Sequence, residues 1–75
     1  MSADRPAVPA GPVHAAPGGF FPRAILERVL ENVLSGIELG VHDRRILAWM
    51  AGWDASTVLT VASWVMRARA EGPAR

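Results

Sequence analysis

Two histidines, His14 and His42, are the only side chains here whose ordinary pKa lies near neutrality. His42 adjoins Asp43. A carboxylate that orients an imidazole is half of a general-base unit. The other half is missing. No convincing nucleophile, glycine-rich phosphate loop or spaced ligand set accompanies the pair, and there is no cysteine. His14 falls in a Pro/Ala/Gly stretch that holds it against nothing. A surface histidine beside a helix-capping aspartate explains His42 and Asp43 without any chemistry. The expectation is a protein that is not an enzyme, with no catalytic residue, no metal site and no cofactor.

Binding is better represented than catalysis. Residues 43–73 read as two helices joined by a tight corner at Gly52-Trp53-Asp54. Glycine supplies the backbone freedom a helix end needs, and an aspartate accepts hydrogen bonds from the first free amides of the next helix. Ala48, Gly52 and Val58 stand where a helix-turn-helix has its small residue, its turn glycine and its buried β-branched residue. The later helix would then present Ser56, Thr60, Ser63 and Arg67 outward as DNA-contact candidates. Hydroxyls and an arginine can reach phosphates and base edges. That face nevertheless holds one arginine and no asparagine or glutamine, the residues suited to bidentate base contacts. DNA binding is therefore the alternative reading, not the favoured one.

Three tryptophans, Trp49, Trp53 and Trp64, lie within sixteen residues. A domain this small cannot bury three indoles completely. Trp49 and Trp53 share one face if their helix persists that far. An exposed Trp64 beside Leu59 and Met66 would make a protein–protein anchor. Leu59, Trp64 and Met66 are thus the interface candidates.

The elements that must position these residues are helices. Residues 1–19 are Pro, Ala and Gly with few large apolar groups, and such a segment cannot offset its ordering entropy. A disordered tail is expected there, with Pro6, Pro9 and Pro12 spaced for a polyproline II stretch. Residues 20–75 form the domain. A first helix is expected over 22–39, with Pro22 in its first turn. Its apolar positions are Ile25, Leu26, Val29, Leu30, Val33, Leu34 and Ile37, all within half its circumference. Arg23–Glu27 and Arg28–Glu31 lie at surface pairing distances. Gly36 weakens its last turn by ~1 kcal/mol relative to alanine, and Gly40 is a stop. Asp43 is the expected cap of a second helix over 44–52, and Asp54 of a third over 55–71, closed by Gly72-Pro73. The fold class is all-α: a small three-helix domain with a helix-turn-helix-like second and third helix.

The chain has 75 residues, and fewer than 60 of them can fold. That is near the lower limit for an independent core. A partner surface is expected to cover part of the apolar area: either a second copy, as a homodimer, or a larger protein. All eight basic residues are arginine, lysine and glutamine are absent, and alanine is abundant. GC-rich codons give this pattern, so it does not point to phosphate recognition. From Phe20 onward seven arginines face six acids, and no strong field draws in nucleic acid or anionic lipid. Ile46 to Met66 spans 21 residues with one charge, Asp54. That length would suit a membrane span, but Asp54 makes better sense as a cap than at a bilayer centre. The start, with Asp4 and five prolines between Pro6 and Pro22, is not a secretory signal. A cytoplasmic location is expected by default.

The run from Asp43 to Asp54, DRRILAWMAGWD, is followed by Thr57-Val58. It resembles a group of short uncharacterised actinobacterial or actinophage proteins. In these, D-x-R-[IV]-L-x-W-[LM]-A-x-W-[DE] leads into T-V and an apolar helix ending in R-A. The resemblance covers residues 43 to about 70. It fits the codon pattern and implies no activity. The leading expectation is a non-enzymatic small helical binding module acting through protein–protein contacts.

Overall fold

A computed structural model describes residues 7–71. The first six residues and the Gly72-Pro73 stop lie outside them. The domain is all-α: α1 (Arg23–Val33), α2 (Val41–Met50) and α3 (Ala55–Glu71).

α1 begins as its sequence suggests. Pro22, with extended backbone at φ −63° and ψ 155°, is its N-cap residue, and the Pro22 carbonyl accepts from Ile25 and Leu26 N–H. Leu26, Val29 and Leu30 form its buried stripe. The helix stops at Val33, six residues before the expected end at 39. Gly36 causes the difference. It sits at φ +88°, so the chain turns out of the helix there. The glycine thus ends α1 instead of weakening a longer one. Ile37 continues the apolar spacing yet is half exposed. Arg69 Nη1 donates to the freed Val33 carbonyl at 3.2 Å.

α2 starts three residues earlier than expected. Extended Gly40 is its N-cap, and Asp43 sits at the third helical position rather than the cap. Asp43 Oδ2 accepts the Gly40 N–H at 2.9 Å. This is the backward half of a capping box; glycine has no side chain to supply the forward half. Asp43 in the first turn also complements the helix dipole. At the other end of α2, Arg23 Nη2 and Nε donate to the Ala48 carbonyl at 2.8 and 3.2 Å. Arg23 therefore joins two helices.

The corner into α3 lies where the sequence places it. Asp54 Oδ2 accepts the Thr57 N–H at 3.0 Å, a side-chain N-cap. Gly52 does not adopt a positive φ; only Gly19 and Gly36 do among the described residues. The turn closes instead through Gly52 and Trp53 N–H donating to the Trp49 and Met50 carbonyls. The corner also divides the 46–66 stretch between two helices. Among the described residues no helix is long and apolar enough to cross a membrane.

The core joins Leu26, Val29 and Leu30 to Leu47, Ala51, Val58, Leu59 and Ala62. α1 packs most broadly on α3 and less on α2, whereas α2 and α3 touch little. They share α1 as a floor. The leader from residue 7 to 19 has no helix or strand, in keeping with its composition. Part of it still lies on the domain, with Val8 packed against the core.

Candidate protein-docking cleft

Because α2 and α3 touch little above α1, a cleft of about 340 Å³ opens between them. Val33 and Leu34 of α1 and its exit, Ile46 and Met50 of α2, and Val61 and Val65 of α3 line it. The polar lining residue is Asp43, whose carboxylate already holds the Gly40 N–H. The lining is therefore almost wholly apolar.

Ile46 of the lining is itself exposed, and three large exposed apolar side chains stand elsewhere on α2, the corner and α3. On α2, Ile46 and Trp49 fall three residues apart on one stripe, and Trp53 of the corner follows. Trp49 is 57% exposed and Trp53 44%. Their rings meet edge to face, with centroids 5.0 Å apart and an interplanar angle of 78°. Edge-to-face contact suits the aromatic quadrupoles, so each ring steadies the other. On α3, Trp64 is 58% exposed. Exposed apolar clusters such as the Trp49–Trp53 pair mark interaction sites.

The interface candidates fare unequally. Trp64 is exposed as expected and Met66 is half-buried. Leu59 is corrected: at 1% exposure it belongs to the core and cannot anchor a partner. It lies on the side of α3 that packs on α1, away from Trp64. The Trp49–Trp53 pair was missing from the candidates. The signal was their spacing of four, but it is the corner after Met50 that leaves both rings outward.

The four DNA-contact candidates are already engaged within the chain. Ser56 Oγ donates to Asp54 Oδ2 at 2.7 Å, and Thr60 Oγ1 to the Ser56 carbonyl at 2.7 Å. Ser63 is a correction: expected outward, it is fully buried, and its Oγ donates to the Pro9 carbonyl at 2.7 Å. Arg67, half-buried, donates from Nε to Ser63 Oγ at 3.0 Å. The N-terminus of α3 also carries the Asp54 carboxylate. Hydrogen bonds from the Ser56 hydroxyl, then the Thr57 hydroxyl and amide, hold its pKa below the usual aspartate range. A fixed negative charge there opposes a phosphate backbone.

His14 and His42 are both exposed. Asp43 gives its Oδ2 to a backbone amide, so it serves the start of α2 rather than an imidazole. No protein-family model, curated protein or solved structure matches the chain, so the cleft is read from its own geometry.

Proposed function

We propose that this protein is a non-enzymatic binding module that works through protein–protein contacts at the cleft between α2 and α3. The observation that carries the reading is an almost wholly apolar cleft on a domain that also exposes Trp49, Trp53 and Trp64. Exposed indoles are where interface energy concentrates. A cleft between splayed helices suits the apolar face of a partner helix, which enters by side chains at helical spacing.

A second copy of the chain is the first partner to test. Ile46 is exposed and lines the cleft, so a two-fold arrangement can seat the Ile46 side of α2 of each copy in the cleft of the other. A net charge of +1 opposes such pairing little. A larger protein offering a similar helix would use the same surface. DNA binding, the alternative reading, draws support from the helix-turn-helix-like corner. Against it stand the internal hydrogen bonds of Ser56, Thr60, Ser63 and Arg67 and the carboxylate of Asp54.

Sedimentation of the purified chain tests the reading. Association at micromolar concentration, lost on Trp49→Ala with Trp64→Ala, supports it. Salt-dependent binding of duplex DNA that disappears with Arg67→Ala would replace it with the alternative.

A further inference from the structure

A serine or threonine inside a helix commonly returns its hydroxyl to the carbonyl four residues back. Thr60 does so. Ser63 does not. Its hydroxyl goes to Pro9, 54 positions away in the sequence, while Arg67 Nε donates into the same oxygen. Ser63 lies on the polar side of α3 and is nonetheless fully buried. The leader covers it: Val8 packs on the core, and Pro9, Gly11 and Val13 are half-buried. This flank is distinct from the cleft, whose α3 lining is Val61 and Val65.

We propose that Ser63 and Arg67 form a seat that reads the backbone carbonyl of an extended, proline-containing peptide, and that the chain's own residues 8–13 are its resident ligand. The chemistry divides into three parts. Arg67 fills an acceptor position on Ser63 Oγ, which leaves the hydroxyl proton to point at the peptide carbonyl. Proline at the bonded position has no N–H, so it can press against the helix without stranding a donor. Prolines at 9 and 12 pre-set an extended backbone, so less entropy is lost on seating. Val8 adds the apolar anchor. A resident ligand in the same chain acts at a local concentration on the order of millimolar, so a free peptide competes poorly until the leader is weakened.

The full chain, labelled with ¹⁵N, tests the seat. In the wild type, relaxation should give residues 8–16 backbone order close to that of the helices. Ser63→Ala should lower that order sharply and leave α1, α2 and α3 unchanged. Next, the full chain carrying Val8→Gly and Pro9→Gly is titrated with a synthetic peptide spanning residues 7–16. This variant should bind the peptide at least about tenfold more tightly than wild type does. Adding Ser63→Ala should weaken that binding at least about fivefold. A tail-like leader in the wild type, leader order indifferent to Ser63→Ala, or no peptide binding by the weakened variant would each overturn the proposal.

Discussion

Asp54 shows how a single residue sets a boundary and leaves a pH signature. Its carboxylate caps α3, and its pKa is lowered by the Ser56 hydroxyl first and by Thr57 next. A depressed folded value means that its contribution is complete above the unfolded pKa of about 3.9 and is lost as pH falls through the folded value. Thermal melts across that acid range should therefore show a loss of stability that Asp54→Ala lacks, and at neutral pH Asp54→Ala should melt lower. The two turn glycines should behave oppositely. Gly36→Ala forces a β-carbon into the left-handed region at φ +88° and should cost about 1–2 kcal/mol. The new carbon itself meets nothing closer than 3.7 Å, so backbone strain is the whole effect. Gly52 has no positive φ, and an added β-carbon would sit 3.4 Å from the Trp49 carbonyl, so Gly52→Ala should stay within about 0.5 kcal/mol of wild type. Chemical denaturation of the two variants checks the contrast. Asp54 and buried Val58 were legible in the sequence because capping and helical spacing are local. The difference between the two glycines was not, because composition does not report which glycine carries the strained turn.

At the scale of the elements, α3 was legible to the residue at its start, while α1 was read six residues too long. The apolar spacing of α1 runs on unbroken through Ile37, and spacing is blind to a turn made by one glycine. α2 was started three residues too late because Asp43 looked like a cap, and ended two residues too late, at 52 rather than Met50; an aspartate three residues inside a helix can reach the cap amide just as well. Long-range arginines were beyond sequence reasoning. Arg23 closes the end of α2 through the Ala48 carbonyl, and Arg69 closes the end of α1 through the Val33 carbonyl. Both place a cation where the helix dipole favours one. Arg23→Ala and Arg69→Ala should each cost about 0.3–1 kcal/mol, and the loss should shrink at high salt. Melts at low and high ionic strength check this; equal losses at both would mean that the arginines act through packing alone.

At the scale of the whole molecule, the described residues form a three-helix unit whose small size leaves apolar surface over. That surplus was legible from length and hydropathy, and the sequence named Trp64 among its carriers. Its location was not. The cleft exists because α2 and α3 lean on α1 more than on each other, and the polar-looking flank of α3 is covered by the leader. Both are consequences of packing between segments far apart in the chain. They move the candidate surface from the Leu59 side of α3 to the cleft and the exposed Trp49, Trp53 and Trp64.

Sedimentation of wild type and of the Trp49→Ala/Trp64→Ala variant, from about 10 μM upward, tests this surface most directly. The two positions are exposed, so the variant should keep its helical content. Wild type should sediment as a dimer or larger species, and the variant as a monomer at the same concentrations. A wild-type protein that stays a compact monomer, or a variant that associates as well as wild type does, would contradict association through this surface.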